Sequence, residues 1–185
     1  MSEDLKNHKF HALFQLFDTT GQGYLTQDGF RLFTDAVTGL VPSDDIENAA
    51  AMRQAFERWW GLLLPSADTD GDGRIDRQEF VSAMRSRVIS PGNLEAAVLE
   101  IADSLMRAWD TNKDGVLSKD EYLRICTQVG LDAALSSDAF SRLDRDGDGV
   151  ISHDEFRTAV TEFYLSDDET APGNWLLGPL LSAGQ

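Results

Sequence analysis

DTDGDGRIDRQE, from Asp68 to Glu79, is the stretch that decides the fold of this chain. It follows the pattern D-x-[DN]-x-D-G-x5-E, the sequence signature of a twelve-residue calcium-binding loop. The pattern occurs twice more, as DTNKDGVLSKDE from Asp110 to Glu121 and as DRDGDGVISHDE from Asp144 to Glu155. Because five defined positions match three times, chance is a poor explanation, and the sequence predicts three loops that each hold one calcium ion.

The ligand requirements of calcium explain the spacing. Calcium takes roughly six to eight oxygen ligands, and a loop of this type supplies them from positions 1, 3, 5, 7, 9 and 12. Position 7 contributes its backbone carbonyl, position 9 binds directly or through a water, and the position-12 glutamate is bidentate. The predicted metal ligands are Asp68, Asp70, Asp72, Arg74, Asp76 and Glu79 in the second loop, Asp110, Asn112, Asp114, Val116, Ser118 and Glu121 in the third, and Asp144, Asp146, Asp148, Val150, Ser152 and Glu155 in the fourth.

Positions 6 and 8 predict how each loop folds. Position 6 needs a backbone conformation that a Cβ disfavours, and position 8 is apolar and is expected to pair with its equivalent in a second loop through a short β-bridge. Glycine and apolar residues stand at these positions in all three loops: Gly73 and Ile75, Gly115 and Leu117, Gly149 and Ile151.

A fourth stretch, from Asp18 to Gly29, is a damaged copy of the same loop. It keeps Asp18 at position 1, but positions 3 and 5 are the uncharged Thr20 and Gln22, and Gly29 replaces the bidentate glutamate. Without those carboxylates little offsets the cost of removing water from the ion. We expect this first loop to be a structural partner of the second loop that does not bind calcium by itself.

The charge of the chain is concentrated in these loops. The net charge is −16, and the four loops hold 16 of the 32 acidic side chains. Such a balance argues against nucleic acid or an anionic membrane as partners. The single cysteine, Cys126, forms no disulfide within the chain, and the sequence has neither a secretory signal nor a membrane-spanning apolar run. We therefore expect a monomeric cytoplasmic protein.

Helical spacing of apolar residues flanks each loop. Phe10, Leu13, Phe14 and Phe17 precede the first loop at this spacing, so the predicted fold class is all-α, with four helix-loop-helix units. We expect an N-terminal pair of units at 1–89, a C-terminal pair at 90–165, and a tail at 166–185 that folds back on the core. Asp44 and Glu47 suggest the start of a long helix, which Pro65 should kink or end early.

The arrangement of the four units resembles a known family. A long gap between the first two units, one incomplete loop, and the tail from Pro172 to Pro179 are similar to the sarcoplasmic calcium-binding proteins, most closely their bacterial calerythrin branch. The resemblance implies one compact globule of two packed EF-hand pairs and calcium buffering or transport. In that family the second unit is often the silent one, whereas here the first loop is the defective one.

Three functions in different classes remain open. A calcium buffer agrees with the scarcity of methionine, since sensors that expose an apolar groove to a protein partner tend to be Met-rich. A sensor is the alternative, and a luciferin-binding or photoprotein-like carrier is a further one, because those proteins share this layout. The sequence offers no catalytic constellation, so we expect no enzyme activity. Aspartate at position 5 of each intact loop makes magnesium a plausible competitor for calcium.

Overall fold

The structure is a computed structural model that describes residues 2–88, 90–128 and 132–177. The prediction of an all-α fold is confirmed, because helices dominate these ranges and the strands contain only two or three residues each. The helices are α1 (Ser2–Phe17), α2 (Gln27–Thr38), α3 (Ile46–Ala67), α4 (Arg77–Ala83), α5 (Pro91–Asn93), α6 (Glu100–Trp109), α7 (Lys119–Gln128), α8 (Ala133–Leu143) and α9 (His153–Leu165). Two π-helical segments, Met84–Val88 and Leu94–Leu99, follow α4 and α5.

The loops pair through two short antiparallel sheets. In the first sheet β1 (Tyr24–Leu25) pairs with β2 (Ile75–Asp76), so that Leu25 lies opposite Ile75. In the second sheet β3 (Val116–Ser118) pairs with β4 (Val150–Ser152), and Leu117 lies opposite Ile151. The predicted bridge at position 8 is therefore confirmed in both pairs, and the first loop is the structural partner of the second.

The position-9 side chain begins the helix that leaves each of the four loops. Thr26, Asp76, Ser118 and Ser152 each accept a hydrogen bond from the backbone N–H three residues later, as N-cap residues do. In the second, third and fourth loops the position-12 glutamate also accepts from the backbone N–H of the position-9 residue, which completes a capping box. In the three intact loops, residues predicted to bind the metal therefore also set where the helices start.

The long helix α3 differs from the sequence expectation at both ends. Its N-cap is Asp45, whose side chain accepts from the backbone N–H of Asn48, and not Asp44. The helix continues through Pro65 to Ala67 instead of ending early. Proline leaves a helix without one backbone donor, and here the last turn is closed beyond it by a hydrogen bond from Asp68 N to the Leu64 carbonyl, at 3.0 Å.

The chain divides into two compact units, Met1–Ile101 and Ala102–Gln185. The core of the first unit is an aromatic cluster in which Phe17 and Phe30 pack against the buried Trp59. In the second unit, Phe140 and Phe156 are buried with the strand residues Leu117 and Ile151. Each core includes the apolar strand residues of a loop pair, which are Leu25 and Ile75 in the first unit and Leu117 and Ile151 in the second. The boundaries expected at 89 and 165 stay predictions.

The described part of the tail packs against α8 and α9. A short 3-10 turn, Pro172–Trp175, places Gly173 so close to α9 that a Cβ there would collide with the backbone of Ala159. The guanidinium of Arg142 lies 4.2 Å from the centre of the Trp175 ring, and Gly173 N donates to Glu162 at 2.9 Å. The tail therefore folds back as predicted as far as residue 177, while 178–185, with Leu180 and Leu181, lie outside the described residues.

Within the ranges that the structure describes, no helix is both long and apolar enough to cross a membrane.

Candidate metal centre

Each loop is organised around its first aspartate. In the fourth loop, Asp144 Oδ1 accepts hydrogen bonds from Gly147 N and Asp148 N at 2.9 and 3.1 Å, and Asp144 Oδ2 accepts from Gly149 N at 3.0 Å. Asp68 and Asp110 accept equivalent bonds from backbone N–H groups of their own loops. These bonds wrap the backbone around one carboxylate, so the loop conformation is formed by the same side chain that is predicted to bind the ion.

The position-12 glutamates are held by donors at both ends of the loop. Glu121 Oε1 accepts from the backbone N–H and the hydroxyl of Thr111 at 2.8 and 2.7 Å. Its Oε2 accepts from the backbone N–H and the hydroxyl of Ser118 at 3.0 and 2.8 Å. Thr69 holds Glu79 Oε1 in the same way in the second loop. Each carboxylate is thereby oriented inward.

The fourth loop has a weaker hold on its glutamate. Its position-2 residue is Arg145, which has no hydroxyl, so Glu155 Oε1 accepts from the backbone N–H of Arg145 at 2.7 Å. Sequence reasoning overlooked this role of position 2. The threonine that recurs there in the other loops, Thr19, Thr69 and Thr111, is the signal that could have revealed it.

Hydrogen bonding lowers the pKa of all three glutamates. Burial alone would raise the pKa of Glu121, but the hydrogen bonds from Thr111 and Ser118 outweigh burial and lower this pKa from 4.5 to about 2. The same balance lowers the pKa of Glu79 and of Glu155. The carboxylates are therefore ionised at neutral pH and ready to bind a cation.

The structure brings three predicted ligands together in each of two loops. Carboxylate oxygens of Asp68, Asp70 and Glu79 lie within 4.8 Å of one another, and so do those of Asp144, Asp146 and Glu155. Three negative charges at this distance repel one another unless a cation lies between them. The all-oxygen donor set suits a hard cation such as calcium.

The remaining predicted ligands are positioned by the loop backbone. The position-5 carboxylates Asp72, Asp114 and Asp148 each accept from the backbone N–H of the position-7 residue, at 2.8, 3.1 and 3.0 Å. The carbonyl residues at position 7 are Arg74, directly before β2, and Val116 and Val150, which begin β3 and β4. The position-9 residues Asp76, Ser118 and Ser152 lie one residue before the outgoing helices.

The third loop differs from the other two in charge and in backbone. Asn112 replaces the position-3 aspartate, and its side-chain amide donates to Asp114 Oδ2 at 2.8 Å. Position 4 is Lys113, which has φ 60°, whereas glycine takes the left-handed conformation at this position in the other loops. Such a conformation is costly for a residue with a Cβ. The third loop therefore has fewer carboxylates and a strained residue.

The first loop keeps the loop conformation despite its missing ligands. Asp18 accepts hydrogen bonds from Gln22 N and Gly23 N at 3.1 and 2.8 Å, as the first aspartate does in the intact loops. A cavity of about 100 Å³ lies where the loop meets α2, and its lining includes Thr19, Thr26 and Gly29. The frame of a metal loop is thus present without its bidentate carboxylate.

Paired helix-loop-helix units with these oxygen ligands define the class of the protein. A model of the EF-hand domain pair matches residues 8–85 and 51–127, and an EF hand domain model matches residues 137–163. The chain therefore belongs to the EF-hand family, and it is a calcium-binding protein of the sarcoplasmic and calerythrin type.

Two curated relatives span nearly the whole chain. Calerythrin of Saccharopolyspora erythraea is 24% identical over 170 residues, which cover 89% of this chain and 95% of the relative. A sarcoplasmic calcium-binding protein of Perinereis vancaurica tetradentata is 29% identical over 180 residues, covering 96% and 99%. The family resemblance predicted from the loops and the tail is confirmed.

Two solved structures share the fold. A Streptomyces coelicolor calcium-binding protein, described with prokaryotic calcium-mediated regulation, is 27% identical and superposes with a TM-score of 0.68, covering 88% of this chain and 99% of its own. The coelenterazine-binding protein of Renilla muelleri, in a calcium-loaded apo form, is 26% identical with a TM-score of 0.63, covering 96% and 97%.

Proposed function

We propose that this protein is a cytoplasmic calcium buffer that binds three calcium ions, one in each intact loop, through the eighteen ligands predicted from the sequence. The observation that carries the ion count is the glutamate at position 12, which accepts hydrogen bonds from positions 2 and 9 in the second, third and fourth loops alike. Magnesium competes at these loops because each carries an aspartate at position 5. We propose that the protein acts as a monomer and has no catalytic activity.

The placement of apolar residues favours a buffer over a sensor. A sensor presents an adaptable, Met-rich groove when calcium binds. Met52, Met84 and Met106 are all buried, with exposed fractions of at most 3%. Among the described residues four large apolar side chains are exposed, two in each unit: Leu32, Ile46, Leu135 and Leu165. This small number of exposed apolar side chains favours a buffer.

A calcium titration with a hydrophobic dye tests this function. Calorimetry in magnesium-free buffer should give three calcium ions per chain, and the dye should show little additional fluorescence on loading. Repeating the titration with magnesium present should lower the apparent calcium affinity without changing the count. A large dye response together with calcium-dependent capture of a protein would instead establish a sensor.

A second candidate function is the carriage of an aromatic ligand. The similar structure from Renilla muelleri is a coelenterazine-binding protein. The indole N–H groups of Trp60 and Trp109 are buried and have no hydrogen-bond acceptor among the described residues. A bound ligand with an acceptor atom would supply the missing hydrogen bond. Titration with an aromatic imidazopyrazinone, followed by tryptophan fluorescence, tests this candidate. The absence of binding at micromolar concentration would dispose of it.

A further inference from the structure

The described part of the tail contacts both helices of the fourth unit. On α8, the guanidinium of Arg142 lies 4.2 Å from the centre of the Trp175 ring. On α9, Gly173 lies against the backbone of Ala159, and its backbone N–H donates to Glu162 Oε2 at 2.9 Å. Since α8 leads into the fourth loop and α9 leaves it, the tail holds together the two helices that this loop connects.

Arg145 joins the fourth loop to this tail contact. It is the position-2 residue of the loop, and its backbone N–H donates to the predicted ligand Glu155, with 2.7 Å between the nitrogen and Oε1. Its guanidinium pairs with Glu162, with 2.6 Å between Nη2 and Oε2. The same Glu162 oxygen accepts from the backbone N–H of Gly173. A continuous series of polar contacts therefore runs from a predicted calcium ligand, through one arginine, to the tail.

The ion pair between Arg145 and Glu162 is partly shielded from solvent. Their side chains are 33% and 24% exposed, and partial burial strengthens an ion pair relative to one in open water. The other three loops carry threonine at position 2, as Thr19, Thr69 and Thr111, and threonine has no charge with which to form such a pair. The connection to the tail is therefore a property of the fourth loop.

We propose that docking of the tail and calcium binding at the fourth loop are linked through Arg145, so that each strengthens the other. Without calcium, the carboxylates of Asp144, Asp146 and Glu155, whose oxygens lie within 4.8 Å of one another, repel and favour a more open loop. Opening of the loop displaces Arg145 from Glu162 and weakens the hold on the tail. A bound cation removes the repulsion, and the docked tail in turn holds α8 and α9 around the filled loop. The linkage rests on the proposed binding of calcium at this loop.

Because linkage is reciprocal, one factor describes both effects. The docked tail should raise the calcium affinity of the fourth loop about fivefold, the lower end of the common range of coupling factors, because the ion pair is only partly buried. Calcium should raise the protection of the Gly173 N–H against hydrogen exchange by the same factor. The calcium state of the fourth loop is thereby transmitted to the tail.

Amide NMR of the full-length protein, at free calcium levels set by a calcium buffer, tests the linkage. The position-6 amides of Gly73, Gly115 and Gly149 each donate to the first aspartate of their loops, so their signals report calcium at the second, third and fourth loops separately. Gly173→Ala should move the Gly149 midpoint to about fivefold higher free calcium, while the Gly73 midpoint stays unchanged. Trp175→Leu, which removes the ring contact with α8 without changing the charge, should act in the same direction.

Arg145→Gln separates linkage from a general loss of stability. This variant keeps the backbone N–H that donates to Glu155 and removes the ion pair with Glu162. In the Arg145→Gln background, Gly173→Ala should move the Gly149 midpoint by less than about twofold, because the connection is already broken. A tail that only stabilises the fold would give the same shift in both backgrounds.

Hydrogen exchange of the Gly173 amide tests the reverse effect without any change to the tail. Calcium should slow this exchange in the wild type but not in Glu155→Gln, which lacks the bidentate ligand of the fourth loop. The proposal is overturned if calcium leaves Gly173 exchange unchanged in the wild type, if Gly173→Ala and Trp175→Leu both leave the Gly149 midpoint unchanged, or if Arg145→Gln does not diminish the shift. Absence of any Gly149 response to calcium would overturn the proposed count of three ions as well, so the two failures are distinguishable.

Discussion

Replacing Lys113 should show how much backbone strain the third loop carries. Lys113 has φ 60°, and glycine occupies position 4 in the other three loops with φ between 66° and 75°. The left-handed conformation costs a residue with a Cβ about 1–2 kcal/mol, and glycine loses about 0.5–1 kcal/mol of unfolded-state entropy in return. Lys113→Gly should therefore stabilise the protein by about 0.5–1 kcal/mol through the backbone alone.

Lys113→Gln is the matched control, because it removes the positive charge beside the loop carboxylates while keeping a Cβ. Both variants are compared by thermal unfolding at saturating calcium and by calcium titration. At about 2–4 °C per kcal/mol for a chain of this size, Lys113→Gly should unfold about 1–4 °C above Lys113→Gln. Because both variants remove the positive charge of Lys113, both should bind calcium more tightly, and by the same electrostatic amount. If Lys113→Gly is no more stable than Lys113→Gln, the strain argument is wrong.

Three further changes test other parts of the structure. Thr111→Val removes a hydrogen bond to Glu121, worth about 1.5–3 kcal/mol for a charged acceptor, and should raise the pKa of Glu121 from about 2. Thr69→Val should raise the pKa of Glu79 by less, because Glu79 is more exposed. Carboxyl-resolved NMR measures both pKa changes, and equal changes would contradict this expectation. Because the pKa of folded Glu121 is lowered from 4.5 to about 2, its stabilising contribution is complete above about pH 4.5 and is lost as the pH falls toward 2. Acid titration of the calcium-free protein, followed by circular dichroism, should show this loss of stability. In Thr111→Val the loss should occur at higher pH. Gly173→Ala introduces a Cβ that collides with the backbone of Ala159, so thermal unfolding should show a loss of about 1–3 kcal/mol, whereas an unchanged midpoint would mean that the tail is not packed there.

The loops were predictable from the sequence because their geometry is local. Asp68 and Glu79 are separated by a fixed number of residues that must wrap one ion, so the ligand spacing also predicts the glycine and the paired strand. The first strand register, Leu25 opposite Ile75, follows from the position-8 pattern. A loop of twelve residues that must both pair its backbone hydrogen bonds and surround an ion can adopt few conformations.

Other features have no distinct signal in the sequence. The helix α3 continues through Pro65, and a hydrogen bond from Asp68 N closes the turn beyond the proline, as the equivalent bond does before the other loops. The choice of Asp45 over Asp44 as the N-cap is a one-residue difference that sequence spacing does not decide. The π-helical segments around residues 84–88 and 94–99 have no distinguishing sequence signal. The cavity at the first loop exists because position 12 is Gly29, which has no side chain to fill it.

The third loop has the fewest carboxylates of the three intact loops, so it gives the sharpest test of calcium binding at three sites. Equilibrium dialysis of the wild-type chain and of Glu121→Gln, in magnesium-free and carboxylate-free buffer, measures calcium bound per chain. We expect three ions for the wild type and two for Glu121→Gln. Two ions for both proteins would show that the third loop does not bind calcium, and the proposed count of three would be wrong.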